Sequence, residues 1–256
     1  MPPVTSHQSP QLIVALDVDT LEKATHFVDI LYPTVKLFKV GSSLFPAWGT
    51  DVVRMVGKKG GRVFLDLKFL DIPNTVYSAT ASGTSSCIAV YSIPSGLDEK
   101  KTEDQVTKHL SSPVFMMTLH TLGSSEMLRK GVKGAEDEAA KQGIKKPLLV
   151  GVTVLTCEVA DVEEVLKRAC IAKEAGLDGV VCSAHEAAAV KEACGKDFLV
   201  VAPGIRPKGY KTDDQKRKAT AQEAIAAGAD FIVVGRPILE AQDPRKAAED
   251  ILKELS

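Results

Sequence analysis

The 256-residue chain has few aromatic residues (5%), a single tryptophan, no excess of either charge and no long apolar run. Each shortage excludes something. With 32 basic against 33 acidic side chains the formal charge is -1, which does not suit a protein that holds nucleic acid by its phosphates, and Tyr210 lacks the neighbouring aromatics of a base-stacking platform. The best apolar stretch, Leu148 to Leu155, is broken by Gly151 and Thr153 and falls well short of the roughly 20 residues of a membrane span. The polar, proline-containing start, Met1 to Gln11, lacks the basic and apolar regions of a signal peptide; residues 1 to 10 are expected to form a loose arm on a cytoplasmic protein. Five cysteines (Cys87, Cys157, Cys170, Cys182 and Cys194) with no C-x-x-C pair suggest neither a disulfide framework nor a zinc knuckle, and are expected to be reduced packing residues. No metal-binding histidine motif, nucleophile elbow or dinucleotide-binding glycine fingerprint occurs, so neither a metal nor a cofactor is expected.

What is present is alternation. Eight short apolar, β-branched runs occur at Leu12 to Leu16, Val35 to Val40, Arg62 to Leu67, Val114 to Leu119, Leu148 to Leu155, Gly179 to Cys182, Phe198 to Ala202 and Phe231 to Val234. Between them lie segments with helical spacing, such as Leu21, Ala24, Phe27, Val28 and Leu31, and several close on glycine (Gly143, Gly176, Gly195, Gly228). Repeated strand-helix units give a parallel sheet, and eight of them in this length predict one (β/α)8 barrel over residues 11 to 256. One segment, about residues 91 to 112, is polar and too long for a helix-to-strand link. It reads as an insertion between helix 3 and strand 4, containing a short surface helix at Glu103 to Leu110, on the face of the barrel away from the chemistry.

A barrel's active site lies at the carboxyl ends of its strands. Charged residues collect there: Asp17 after strand 1, Lys39 in strand 2, Asp66, Lys68 and Asp71 at strand 3, Arg206 after strand 7 and Arg236 after strand 8. Asp66 and Lys68, two apart in an extended run, share the face of Phe64, while Val63, Leu65 and Leu67 point the other way. Charges aimed into a barrel are costly unless paired, so this cluster marks a functional site rather than a structural ion pair. Gly235, Arg236 and Pro237 read as a phosphate cradle: glycine for close approach, a guanidinium fork, and proline opening a helix. Pro203, Gly204, Ile205 and Arg206 lead into a basic loop able to close over a ligand, with Lys216, Arg217 and Lys218 expected to be solvated. His120, just past strand 4, is expected to be a hydrogen-bonded structural histidine.

Taken together, Leu16-Asp17, Phe38-Lys39-Val40-Gly41, the run Asp66 to Thr75, Val154-Leu155-Thr156, Pro203 to Pro207, Asp214-Gln215 and Val234 to Ile238 resemble the bacterial-type orotidine 5'-phosphate decarboxylases, in order and over nearly the whole chain. The resemblance departs at the insertion and at Leu70, where relatives often carry histidine or alanine. It implies that orotidine 5'-monophosphate (OMP) is converted to UMP and CO2 in de novo pyrimidine biosynthesis, without a cofactor. It further implies that Asp66 and Lys68 flank the scissile carboxylate beside Lys39. Asp17 and Lys39 would hold the ribose, Thr156 the pyrimidine edge, and Gln215 would bridge base and phosphate. Arg206 and Arg236 would bind the phosphate, with Pro203 and Gly235 lining that subsite. Asp71, with Ile72 and Thr75, would reach into the partner's site in a homodimer.

The chemistry suits these residue types. Loss of CO2 from C6 leaves charge on a ring carbon with no electron sink, so a fixed ammonium, Lys68, would stabilise it and then donate the proton. A carboxylate beside it favours its charged form. Two other readings compete: a metal-assisted decarboxylase or aldolase acting on a ketose phosphate, which shares the Asp-x-Lys-x-x-Asp element but carries glutamate where Lys39 stands, and a non-catalytic phosphate-binding barrel.

Overall fold

A strand buried on both faces needs apolar residues at every position, and the short runs meet that need. In the computed structural model, which describes residues 11–86, 112–155, 158, 161–210 and 217–255, they form β1 (Gln11–Ala15), β2 (Leu37–Gly41), β3 (Arg62–Phe69), β4 (Val114–His120), β5 (Leu148–Val152), β6 (Gly179–Val181), β7 (Leu199–Ala202) and β8 (Phe231–Val234). Each strand pairs in parallel with the next and β8 closes on β1, through pairs such as Ile13↔Leu37 and Ile13↔Val233. The expected (β/α)8 barrel is the observed fold. Alternation divides the core into two layers. Ile13, Ala15, Leu37, Phe64, Met116, Val150, Val201 and Phe231 fill the barrel, while Leu12, Val14, Val63, Leu65 and Met117 pack against the surrounding helices.

Those helices are α1 (Leu21–Leu31), α2 (Phe45–Trp48), α3 (Thr50–Lys58), α4 (Pro73–Ser85), α5 (Ser125–Gln142), α6 (Val162–Glu174), α7 (Ala184–Cys194), α8 (Ala221–Ala226), α9 (Arg236–Leu239) and α10 (Pro244–Glu254). Their ends follow local chemistry. Thr20, Ser124, Asp161, Ser183, Thr220 and Asp243 accept first-turn backbone N–H groups, and Gly143, at φ +64°, ends α5 in the left-handed conformation that glycine tolerates. No helix among the described residues is long and apolar enough to cross a membrane.

The contact of α4 with α5 positions part of the rim. A Cβ on Gly134 would lie 2.2 Å from the Tyr77 carbonyl oxygen, and Thr80 donates to the Gly131 carbonyl at 2.7 Å. The two backbones approach because those positions of α5 have no side chain. The contact falls at Tyr77 and Thr80, in the first half of α4, which begins at Pro73 just after Asp71 and Ile72.

Several expected strand boundaries move by a residue, and three move further: β3 ends at Phe69 rather than Leu67, and the other two fall in β2 and β5. β2 begins at Leu37 rather than Val35, and β5 ends at Val152 rather than Leu155. Val35 and Val154 are buried but lie outside the ladder, and an apolar run does not distinguish burial from pairing. The arm at residues 1–10 and nearly all of the expected insertion, including its helix, lie outside the described residues. The flanks of the 87–111 segment meet, with Ser112 Oγ donating to the Ser86 carbonyl at 3.3 Å.

Candidate active site

Three neighbouring strand ends build the charged part of the site. Pairing of β1 with β2 continues past Ala15 through Leu16 N–H to the Lys39 carbonyl, which brings Asp17 beside Lys39. Pairing of β2 with β3 sets Gly41 opposite Asp66. Lys39 Nζ lies 3.0 Å from Asp17 Oδ1 and 3.6 Å from Asp66 Oδ2, and Lys68 Nζ lies 3.0 Å from both Asp66 oxygens. The result is an alternating row, Asp17, Lys39, Asp66, Lys68. Its two central side chains are 13% exposed, whereas Lys68 and Asp17 are 36% and 51% exposed, so the row is buried in the middle and open to the barrel mouth at its ends. Burial pulls the Lys39 ammonium toward neutrality, but the charges of Asp66 and then Asp17 outweigh it and hold its pKa above the ordinary lysine value. Gly41 leaves room for this group: a Cβ there would sit 3.1 Å from Lys39 Nζ.

Lys68 adopts φ +50°, a left-handed conformation that costs a residue bearing a Cβ roughly 1–2 kcal/mol. The strain falls where β3 loses register with β4, between Leu65 and Phe69. Thr118 of β4, fully buried, contacts both residues of the pair: its hydroxyl accepts from the Lys68 N–H at 2.7 Å and donates to Asp66 Oδ1 at 3.1 Å. Sequence reasoning missed Thr118. The available signal was a lone polar residue in the apolar run Phe115 to Leu119, two positions from Met116, which faces the barrel interior.

At the other side of the mouth, Gly235 sits against β1, where an added Cβ would lie 3.8 Å from Asp17 Oδ2. Arg236 and Pro237 open α9. Pro203 and Gly204, the latter at φ +76°, turn the chain after β7, and Arg206 N–H donates to the Ala219 carbonyl, which pins the base of the following loop. Arg206 is buried, its guanidinium donating to the Ile205 carbonyl at 2.9 Å and lying 5.7 Å from the Tyr210 ring centroid. Thr156 and Gln215 lie outside the described residues.

Asp71, Ile72 and Thr75 do not join the charged row of their own chain. They are exposed, and Asp71 Oδ1 accepts from the Ile72 N–H at 2.7 Å. Leu70 and Leu122 are also exposed, at 50% and 61%, and Leu70 lies against Gly123.

Arg217 corrects the expectation of a solvated basic run. Its guanidinium pairs with the buried Glu186 of α7 at 2.5 Å and donates to the carbonyls of Val154 (3.2 Å) and Leu155 (3.1 Å). Its sequence neighbours, Lys216 and Lys218, hid this role, because the acidic partner is remote in sequence. The His120 ring accepts from the Leu122 N–H at 3.3 Å. Burial, then the charges of Arg168 and Lys68, lower its pKa below the ordinary histidine value. Cys182 and Cys194 are buried free thiols, and burial pushes Cys194 up to about 11, which suits packing rather than nucleophilic use.

The sequence matches the Orotidine 5'-phosphate decarboxylase / HUMPS family over residues 10–96 and 97–251. It is 40% identical to an orotidine 5'-phosphate decarboxylase of Moorella thermoacetica over 98% of this chain and 94% of that protein. For one of Syntrophotalea carbinolica the values are 42%, 96% and 95%. Among solved structures, the orotidine 5'-phosphate decarboxylase from Lactobacillus acidophilus superposes with a TM-score of 0.76 at 34% identity, covering 97% of this chain and 100% of that one. The Methanocaldococcus jannaschii enzyme complexed with inhibitor BMP, at TM-score 0.69, 19% identity and coverage of 97% and 100%, shares the fold.

Proposed function

The chain belongs to the orotidine 5'-phosphate decarboxylase / HUMPS family and is a carboxy-lyase, and from that premise we propose that it decarboxylates OMP to UMP in pyrimidine biosynthesis by a cofactor-free route. The observation that carries this reading is the alternating row Asp17, Lys39, Asp66, Lys68 at the barrel mouth, with one ammonium presented to the opening.

Breaking the bond from C6 to the carboxylate leaves an electron pair on C6, and CO2 departs. Lys68, already charged and fixed, stabilises that pair more than it stabilises the ground state, then transfers a proton to C6. Asp66 holds the ammonium in place by its two oxygens. Asp17, exposed toward the mouth, and Lys39 beside it bind ribose hydroxyls. Arg206 and Arg236, with Gly235 and Pro203, take the phosphate, and Thr156 and Gln215 take the base and the base-phosphate bridge. Binding energy from phosphate and ribose, remote from C6, orients the ring and expels water.

The active form is a homodimer in which Asp71, Ile72 and Thr75 enter the partner's site. Support comes from their exposure beside Leu70 and Leu122, an apolar rim at the start of α4 that a second copy would cover.

The test is an ultraviolet assay of OMP conversion with EDTA present. Turnover insensitive to EDTA is expected. Failure on OMP combined with magnesium-dependent turnover of a ketose phosphate would replace this reading with that of a metal-assisted relative.

A further inference from the structure

β3 and β4 pair at Leu65↔Met117 and again at Phe69↔Leu119, so Asp66, Leu67 and Lys68 on one strand stand opposite Thr118 alone on the other. A ladder cannot run continuously through such a mismatch, and bulges of this kind re-aim side chains beside active sites. Here the Lys68 N–H leaves the strand ladder and is taken by the Thr118 hydroxyl at 2.7 Å, with Lys68 at φ +50°. The hydroxyl has one hydrogen, and it goes to Asp66 Oδ1 at 3.1 Å. One fully buried oxygen therefore ties the backbone of Lys68 to the carboxylate of Asp66. A β-branched residue on a strand is stiff about χ1, which suits a side chain that must hold two partners at once.

We propose that Thr118 is the positioning residue of this site, holding the bulge at Asp66 to Lys68 so that the Lys68 ammonium meets the reacting carbon. The inference rests on the assignment of Lys68 as proton donor. Thr118 acts through Lys68 and Asp66, so its loss should fall on the chemical step and spare remote binding of phosphate and ribose. A misplacement of about 1 Å at a reacting group costs on the order of 100-fold.

Thr118→Val keeps the shape and removes both hydrogen bonds; Thr118→Ser keeps both bonds and removes a methyl. The valine variant is expected to lose about 10- to 100-fold in kcat, with KM for OMP and affinity for UMP within about threefold of wild type. The serine variant should retain kcat within about threefold. A crystal structure of Thr118→Val should show Lys68 leaving positive φ or its ammonium displaced from Asp66. Wild-type kcat in the valine variant, a loss that serine does not restore, or an unchanged Lys68 and Asp66 arrangement would each overturn the proposal. Should the valine protein not fold, Thr118→Cys, which puts a weakly donating and weakly accepting thiol in place of the hydroxyl, is expected to show the same fall in kcat, and wild-type kcat there would count equally against it. Absence of OMP turnover by the wild-type enzyme would defeat the decarboxylase reading alone, because the crystallographic comparison decides the role of Thr118 independently of activity.

Discussion

Removing the Lys68 ammonium tests the chemistry most directly, because its charge matters more in the transition state than in the bound substrate. Lys68→Ala should lower kcat by about 1,000-fold or more while leaving UMP affinity largely intact; near-normal kcat would contradict its role. His120 offers a prediction about stability. Its pKa is held below the ordinary value of 6.5 by burial and by Arg168 and Lys68, so between the two values the unfolded chain binds the extra proton. Its contribution is complete above about pH 6.5 and is lost as pH falls toward the lowered value. Urea unfolding of His120→Gln should show a smaller loss of stability between pH 7.5 and 5.5 than wild type, and an equal loss would contradict this. Residues of this kind differ in how legible they are. Asp66 and Lys68 were readable as a charged pair ending an apolar run, although the bulge and the positive φ at Lys68, rather than strand alternation alone, set where its ammonium lies. Thr118 and Arg217 were not, because each matters through partners distant in the chain: Asp66 and Lys68 for one, Glu186 for the other.

Among elements, the α4 and α5 pair has the tightest requirement on side-chain volume. The Tyr77 carbonyl is backbone and cannot swing aside, so Gly134→Ala forces the helices apart. Overpacking of this sort costs about 1–3 kcal/mol, and a fall in Tm of roughly 3–10 °C is expected by calorimetry. Because α4 begins at Pro73, directly after the Asp71 turn, the shift should also lower activity at temperatures where the protein remains folded. A variant with wild-type Tm and kcat would show that the helices separate without cost. The helix stop at Gly143 was readable from the sequence, but this glycine was not. A glycine inside a helix marks close approach only once the facing backbone is known.

For the whole molecule, the decisive question is whether one chain completes its site. The charged row lies within a single barrel, yet Asp71, Ile72 and Thr75 are exposed and take no part in its ion pairs. If sites are shared across a twofold dimer, mixing inactive Lys68→Ala with inactive Asp71→Ala protein should restore about a quarter of wild-type activity, because half the dimers are mixed and each has one intact site. No recovery after confirmed subunit exchange would count against sharing of the sites across the dimer. The sequence by itself determined the eight strand-helix units, the barrel they close into, and which charged residues end the strands, because periodicity and strand order are local and additive. Only the tertiary structure decided the pairing of those charges, the bulge that places Lys68, the tie from Thr118 and the pairing of Arg217 with Glu186. These depend on register and on contacts between segments tens of residues apart, where a shift of a single position exchanges one set of neighbours for another.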